Sequence, residues 1–359
     1  MAYENYKSEK KDHLKTLLAK FIEEFEHFAD TGKFKKGWNV SKGGIPHNPL
    51  TGNSYHGINF LSTMLAGYDD DRWMTIAQLN AHNKEHGTNY YVRKGEQGTP
   101  IFRWVPKIIT NPKEQEKLDK EVESGGMIVD ENDKKESFKL MVLAYNTHIF
   151  NASQIENFPA KEHAPKLTDF EEVAMLENIK QAMQTIQSVE IFSHHEDKAF
   201  FSPNQKAIYM PHKESFRSES DYYRTLIHEL VHATGHKDML NRDTLNDYFK
   251  SMEVRAKEEM TAEFGSFIAC KTFGVNYHGQ TDINHREYVR SWVSVLKGND
   301  GRKEMIKAFS RAGKAVDFLV GTVEKFELEH GKNKLMDKIK ETLHLSTDNK
   351  KAHDYSMSM

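Results

Sequence analysis

The amino-acid sequence predicts an α+β protein of two domains, a small β-rich α+β domain followed by a mainly helical domain with a small sheet. The chain has 359 residues, which is enough for two domains of ~100–200 residues each. Residues 33–107 are rich in glycine, asparagine and aromatic residues, and they contain short runs typical of strands. Beyond Ser218 the apolar residues recur mostly with helical spacing.

Residues 10–29 open the first domain and place leucine and phenylalanine three and four positions apart, which predicts an amphipathic helix. A second helix-like segment lies at 75–82. Runs typical of strands follow at 89–92, 100–105 and 138–146. Residues 106–137 are polar and charged, and we interpret them as an exposed insertion.

We place the first domain at residues 1–158 and the second at 165–345, with a proline-containing linker between them. Residues 346–359 are polar, and we predict a disordered tail.

The second domain opens with a helix-like segment at 170–188, followed by strand-like runs at 189–192 and 207–210. We expect the strand at 207–210 to form the edge of a small sheet.

The overall composition excludes several classes of protein. The net charge is −3, so the molecule as a whole does not have the basic charge of many nucleic-acid binders. Cys270 is the single cysteine, which excludes a disulfide framework and favours a reducing compartment. No apolar run reaches the ~20 residues of a membrane span, and the N-terminus lacks an apolar leader. We expect a cytoplasmic protein without a membrane partner.

His228, Glu229 and His232 form the firmest functional motif in the sequence, His-Glu-x-x-His. On a helix, residues four apart share a face, so the two imidazoles can bind one zinc ion while Glu229 acts as general base. Gly235 follows, and we expect it to end the helix as a C′ residue. The alternative interpretation is a chance match on an amphipathic helix.

A catalytic zinc site has three protein ligands and one open position. We choose Glu259 as the third ligand, because it begins a Glu-x-x-Ala-Glu pattern like that of zinc peptidases with a glutamate ligand. Glu263 would then hydrogen-bond to a ligand histidine and fix its orientation without contacting the metal itself. Two alternatives stay open: Glu263 as the ligand itself, and Asp238, which completes a His-x-x-Gly-x-x-Asp pattern found in other compact zinc peptidases.

The first half contains a locally basic, aromatic segment. Between residues 30 and 107 we count ten lysine or arginine residues against six acidic ones, and three of the four tryptophans lie there. Cations that meet phosphates and rings that stack on bases suit single-stranded nucleic acid. The alternative is that the aromatic residues form a small β-rich core and the lysines are ordinary surface charges.

Taken together, these motifs resemble the ArdC-type antirestriction proteins of mobile elements, and the resemblance spans most of the chain. In the first half it rests on Trp38, Pro46-x-Asn48-x-x-Thr51-Gly52-x-x-Tyr55-x-Gly57-x-Asn59, Arg72-Trp73-x-Thr75 and Val92-Arg93-Lys94-Gly95-Glu96. In the second half it rests on His228-Glu229-x-x-His232-x-x-Gly235-His236, Asn241-Arg242, Glu258-Glu259-x-x-Ala262-Glu263 and Tyr288-Val289-x-x-Trp292.

The resemblance implies an N-terminal domain that binds single-stranded DNA and a C-terminal zincin-like metallopeptidase domain. Such proteins enter a new host with transferred DNA and reduce the restriction of that DNA by the host. A related N-terminal region also occurs in conjugative primases. The residues that we predict to contact DNA are Lys35, Lys36, Trp38, Lys42, Asn48, Tyr55, Asn59, Arg72, Trp73, Arg93 and Lys94.

We expect zinc as the cofactor, with manganese as an alternative, and single-stranded DNA and a host protein substrate as partners. Two other functions stay open. One is a non-catalytic protector of single-stranded DNA with a structural metal. The other is an accessory factor for a conjugative primase or for replication.

Overall fold

The structure, a computed structural model, describes residues 12–31, 44–108, 127–128, 139–161, 168–275 and 283–330. Most of the predicted insertion at 106–137 and the whole predicted tail at 346–359 lie outside these residues. The architecture is α+β, as predicted.

The first half contains short helices around small antiparallel sheets. Its helices within the described residues are α1 (His13–Thr31), α2 (Gly57–Met64) and α3 (Ile76–His86). Its strands are β1 (Trp73–Met74), β2 (Tyr91–Val92), β3 (Thr99–Ile108), β4 (Met127–Ile128), β5 (Lys139–Asn151) and β6 (Ile155–Glu156). Helix α3 begins at a capping box between Thr75 and Gln78 and ends at Gly87, whose φ of 67° suits glycine.

The long antiparallel pair of β3 and β5 forms the centre of the first half. Strand β1 pairs with the other edge of β5 near its end, where Trp73 is opposite Asn151. Strand β4, from within the predicted insertion, also pairs with β5. Strands β2 and β6 form a separate two-stranded ribbon.

Helix α1 packs its phenylalanine stripe against helices of the second half. The ring of Phe21 lies 5.5 Å from that of Phe264, and the ring of Phe25 lies 6.1 Å from that of Trp292. The amphipathic pattern at 10–29 therefore predicted the buried face. Its partner lies more than 230 residues away in the sequence and could not be read from the pattern.

The second half consists of helices packed against a three-stranded sheet. Its helices within the described residues are α4 (Asp169–Gln187), α5 (Glu219–Thr234), α6 (Asp243–Asn246), α7 (Met252–Thr272), α8 (Ile283–Lys297) and α9 (Gly301–His330). Helix α7 packs against α5, α8 and α9. Among the described residues, no helix combines the length and the apolar character of a membrane span.

The sheet of the second half has the order β7 (Glu190–His194), β9 (Ala207–Pro211), β8 (Phe200–Ser202). Our expectation that 207–210 forms the edge was wrong, because β9 is the central strand, parallel to β7 and antiparallel to β8. Its burial explains the error, since Ala207, Ile208 and Met210 are all fully buried, as in a strand covered on both faces. The edge beside the helices of the site is β8.

Candidate metal centre

Helix α5 presents the His-Glu-x-x-His motif. It begins at Ser218, whose hydroxyl accepts a hydrogen bond from the backbone N–H of Asp221. Four buried apolar side chains anchor the helix in the core: Leu226, Ile227, Leu230 and Val231. The rings of His228 and His232 lie one turn apart on the face towards α7, with their centroids 4.9 Å from each other.

The two imidazoles and Glu259 of helix α7 converge. Oε2 of Glu259 lies 3.6 Å from Nε2 of His228 and 3.8 Å from Nε2 of His232. Ligand atoms about 2.1 Å from a tetrahedral ion lie about 3.4 Å from one another. Within the described residues, these three are the histidine, cysteine or acidic side chains that group closely enough to hold one ion.

The outer nitrogens of both histidines face carboxylates. Nδ1 of His232 lies 3.1 Å from Oε1 of Glu258, and Nδ1 of His228 lies 3.4 Å from Oε2 of Glu263. A carboxylate that accepts a hydrogen bond from Nδ1–H favours the tautomer in which Nε2 carries no proton, and this is the form that binds a metal. Glu263 lies where we predicted a supporting residue, whereas we did not predict a role for Glu258.

Arg242 fixes Glu258 and the end of α5 together. Its Nη2 donates to Oε1 of Glu258 at 2.6 Å and to the carbonyl oxygen of Val231 at 2.8 Å, and its Nη1 donates to Thr234 at 2.7 Å. Gly235 allows this approach, since a Cβ there would lie 2.7 Å from the guanidinium. The helix ends at Thr234, so Gly235 follows its last residue as expected, although it is the C-cap residue, with a right-handed φ of −76°, rather than the C′ residue.

A second glycine brings the two helices of the site close together. Gly265 of α7 packs against Val231 of α5, and a Cβ at Gly265 would lie 2.6 Å from Cγ1 of Val231. Gly265 follows Glu259 on the same helix. The close approach therefore helps to set the distance between Glu259 and the two histidines.

Glu229 is 7% exposed and lies beside the edge strand β8. The backbone N–H of Phe201 in that strand interacts with the Glu229 carboxylate and lowers its pKa. Burial raises the pKa of Glu229, and the nearby imidazoles counteract part of this rise. The Glu229 carboxylate therefore lies close to both histidines and to strand β8.

The electrostatics of the cluster favour a positive charge at its centre. Burial opposes a charge on His228, but Glu259 and Glu263 hold its pKa well above the usual value. Burial likewise opposes a charge on His232, yet Glu258 and Glu259 raise its pKa to about 9. The two imidazoles hold the pKa of Glu259 well below its usual range despite burial. The donor atoms and the spacing fit a divalent cation.

Asp238, the alternative third ligand, lies apart from this cluster. Its side chain is 55% exposed and forms an ion pair with Lys206 at 3.4 Å. Its nearest histidine contact is with Nδ1 of His236, at 3.5 Å.

Tyr248 is a further residue of the centre that the sequence did not single out. Its hydroxyl donates a hydrogen bond to Oε1 of Glu259 and accepts one from Nε of Arg255 at 3.1 Å. Burial and the charge of Glu259 raise the pKa of Tyr248. The hydroxyl thus fixes the carboxylate oxygen that lies outside the contacts with the two histidines.

Three of the predicted DNA contacts serve the structure of the first half. Trp73 is 1% exposed. The buried Asn48 donates to Oε1 of Gln78 at 2.9 Å. The Asn59 side chain donates to the carbonyl oxygen of Phe102 and accepts from its N–H, at 2.9 and 2.7 Å, and so joins α2 to β3. In this conformation, these side chains offer little to a DNA strand.

Two more of these residues are partly used inside the same half. The Tyr55 hydroxyl donates to the carbonyl oxygen of Trp73 at 3.4 Å. Arg72 forms an ion pair with Asp70 at 2.8 Å, and its guanidinium lies 5.2 Å from the ring centre of Phe158. Both side chains therefore help to fix the motif segments to one another.

Arg93 and Lys94, by contrast, lie on the surface. Arg93 contacts Glu96 at 2.8 Å and keeps much of its side chain exposed. The ring of Tyr91, which we did not predict to contact DNA, is 50% exposed beside them. The other predicted contacts, Lys35, Lys36, Trp38 and Lys42, lie outside the described residues.

Comparison with protein families gives two matches along the chain. Residues 11–147 match a family described as the N-terminal domain of the anti-restriction factor ArdC. Residues 178–311 match a family described as a zincin-like metallopeptidase.

Among curated proteins, a DNA primase TraC from Escherichia coli is 33% identical over 322 residues. The match covers 88% of this chain but only 28% of the primase, so the chain spans less than a third of that relative's length.

Among solved structures, the metal-free antirestriction protein ArdC from plasmid R388 matches with a TM-score of 0.64 and 27% identity, covering 88% of this chain and 99% of the other. The Mn(II)-bound structure of the same protein matches with a TM-score of 0.61 and 26% identity, covering 88% and 100%.

Proposed function

The chain belongs to the ArdC-type antirestriction family, and on that basis we propose that it binds single-stranded DNA and hydrolyses peptide bonds at a metal centre. The single observation that carries the enzymatic part is the convergence of His228, His232 and Glu259 beside the buried Glu229. As an antirestriction protein of a mobile element, it would protect transferred DNA in a new host.

The proposed metal ligands are Nε2 of His228, Nε2 of His232 and the carboxylate of Glu259. A zinc ion there would polarise a peptide carbonyl and lower the pKa of a bound water towards ~7. The Mn(II)-bound ArdC structure supports manganese as the alternative ion. Glu263 and Glu258 would hold the two imidazoles in the tautomer that binds the ion.

Glu229 is the proposed general base, and its carboxylate would take the proton from the attacking water and pass it to the leaving amine. Burial raises its pKa, which favours a carboxylate that can hold the transferred proton. The free edge of β8 is the proposed docking line for the substrate, because an extended peptide can add to a sheet edge through backbone hydrogen bonds. The contact between Phe201 and Glu229 brings that edge next to the base.

The DNA-binding part is proposed for the first half. The exposed ring of Tyr91 beside Arg93 and Lys94 combines a stacking surface with cations, which suits single strands without strong sequence preference. The match to a DNA primase, which covers 88% of this chain, supports a role at DNA.

A second candidate function is a protector that coats DNA and uses the metal only as a structural element. Residues 11–147 match the ArdC N-terminal family, and the metallopeptidase family matches a separate part of the chain. This separation favours a DNA-binding function that does not depend on peptide hydrolysis.

One variant separates the two functions. Glu229→Gln should retain metal, since Glu229 is not among the proposed ligands, and should abolish peptide hydrolysis in a casein or peptide-library assay. Glu196→Gln, an exposed change in the loop before β8, is the matched control. If the Glu229→Gln variant protects DNA from restriction as well as the parent chain does, the enzymatic function is not the antirestriction function. Hydrolysis at the parent rate by that variant would exclude Glu229 as the base.

A further inference from the structure

A cluster of cations lies on the outer side of the second half, between helices α7 and α9. Lys303, Lys307 and Arg311 follow one another at intervals of four along α9, so they share one face of that helix. Lys257 of α7 faces the same point. All four are partly buried, and we call them the cation cluster.

One buried carboxylate, Glu304, lies at the centre of this cluster. Its Oε1 lies 3.8 Å from Nζ of Lys257 and 3.9 Å from Nζ of Lys307, and its Oε2 lies 3.8 Å from Nη2 of Arg311. Each separation is longer than a hydrogen bond. Glu304 therefore attracts the cations without using up their N–H groups.

The cluster holds more positive than negative charge. Lys257, Lys307 and Arg311 face Glu304, Lys303 lies near Lys307, and Lys257 also pairs with the exposed Glu253 at 2.6 Å. Glu258 and Asp243 also attract Arg311, and Arg242 repels it, so five cations stand against four carboxylates. Nη2 of Arg311 and Oε2 of Glu304 are both buried, and neither has a hydrogen-bond partner within the described residues. Burial and the neighbouring cations lower the pKa of Lys307, although Glu304 raises it. A bound anion would relieve this repulsion and accept hydrogen bonds from the partly exposed lysine ammonium groups.

The guanidinium of Arg311 is held in place for such a contact. Its Nε donates to Oγ1 of Thr261 on α7 at 3.0 Å, and its Nη2 lies towards Glu304. A fixed guanidinium with lysines beside it is a common arrangement for binding a phosphate group.

The start of α9 also joins the cluster to the first half. Arg302, next to Lys303, pairs with Asp12 at 2.8 Å. His13, next to Asp12, stacks on the exposed ring of Tyr145 in β5, at a centroid distance of 4.5 Å. The rings of His13 and Tyr145 therefore lie near Arg302, the neighbour of Lys303 in the chain, where the two halves meet, and rings beside a cation suit single-stranded DNA.

We infer that the cation cluster binds a backbone phosphate of single-stranded DNA, so that the strand runs from the first half onto the metallopeptidase half. This inference rests on the proposed binding of single-stranded DNA. It adds a contact outside the N-terminal domain and places the strand on the opposite flank of α7 from Glu259.

The test compares the full chain with its Lys307→Gln and Lys303→Gln/Lys307→Gln variants in binding a fluorescent oligothymidylate at increasing salt. Each lost phosphate contact should make the slope of log affinity against log salt shallower by about 0.7. We expect the double variant to lose roughly tenfold in affinity at low salt. Lys325→Gln on the same helix, 59% exposed and distant from the cluster, is the matched control and should bind as the parent does.

Acetylation footprinting gives a readout that needs no variant. A bound oligothymidylate should protect Lys303 and Lys307 from acetylation and leave Lys325 reactive. Unchanged affinity and slope in the double variant, together with unprotected lysines, would overturn the inference while leaving DNA binding by the first half intact. If the parent chain itself does not bind oligothymidylate, the proposed DNA-binding function fails as well, and the inference fails with it.

Discussion

Nδ1 of His232 lies 3.1 Å from Oε1 of Glu258, and the same carboxylate accepts a 2.6 Å hydrogen bond from Arg242. Glu258 is fully buried. Burial raises its pKa, but Arg242 and His232 outweigh that effect and hold the pKa at about 2. The carboxylate therefore stays ionised and keeps His232 oriented with Nε2 towards Glu259.

The first prediction concerns Glu258. Glu258→Gln should weaken metal binding by about 10- to 100-fold, because the amide no longer fixes the Nδ1 proton of His232. It also leaves Arg242 without its charged partner, which should lower the free energy of unfolding by about 3 kcal/mol. Metal titration and urea denaturation measure the two effects. Glu253→Gln, a 65% exposed position on the same helix, should change neither. Parent-like metal affinity in Glu258→Gln would contradict the proposed role.

The second prediction separates the candidate third ligands. Glu259→Gln should lose bound metal, because the carboxylate faces both Nε2 atoms. Asp238→Asn should retain it, since Asp238 is 55% exposed and pairs with Lys206. Metal content after dialysis, measured by atomic emission, decides between them. The opposite result would assign the ligand to Asp238.

The third prediction concerns the spacing of the two helices. Gly265→Ala places a methyl group 2.6 Å from Val231 and should cost about 1–3 kcal/mol in the free energy of unfolding. It should also weaken metal binding, because α7 must move away from α5. Gly321→Ala on α9, where a Cβ meets nothing within 4 Å, is the control and should stabilise by about 0.5–1 kcal/mol. Equal stability in the two variants would show that the helices are not closely packed at Gly265.

The fourth prediction concerns pH and Lys271, which lies on α7 and is 8% exposed. Burial lowers its pKa to about 8, although Asp71 raises it. Between pH 8 and about 10.5 the unfolded chain binds more protons at this residue than the folded chain, so stability from this residue rises with pH. Below pH 8 Lys271 is protonated in both the folded and the unfolded chain. The buried charge then lowers the free energy of unfolding by an amount that does not change with pH.

Lys271→Met tests this dependence. The gain in unfolding free energy of the variant over the parent chain should be largest at pH 7 and should shrink by pH 10. Urea denaturation at unit intervals of pH measures it. A difference that stays constant across this range would show that Lys271 titrates normally.

The sequence predicted the local chemistry of the site better than its surroundings. The four-residue interval between His228 and His232 implied a shared helix face, and the pattern at Glu259 selected the residue that faces both imidazoles. In the sequence, Glu258 and Arg242 stand out only as parts of the family resemblance, and the sequence predicts no role for either. Their function depends on contacts between segments 10 to 26 residues apart, which a local pattern does not encode.

The errors have similar physical causes. Ala207–Pro211 has the apolar composition of any buried strand, and pairing on both sides, which composition does not specify, made it central rather than an edge. Trp73 and Asn59 belong to a motif that resembles a DNA-binding family, yet both side chains help to hold the first half together. A motif residue can therefore serve the fold on which a binding surface depends.

The most direct measurement is a crystal structure of the full chain soaked with Zn²⁺ or Mn²⁺, with anomalous scattering recorded at the absorption edge of the metal. We predict one strong peak about 2.0–2.2 Å from Nε2 of His228, Nε2 of His232 and a carboxylate oxygen of Glu259. We also predict that a fourth position, on the side of Glu229, is free of protein ligands. A peak coordinated by Asp238, or an ion enclosed by four protein ligands, would contradict the proposed metal centre.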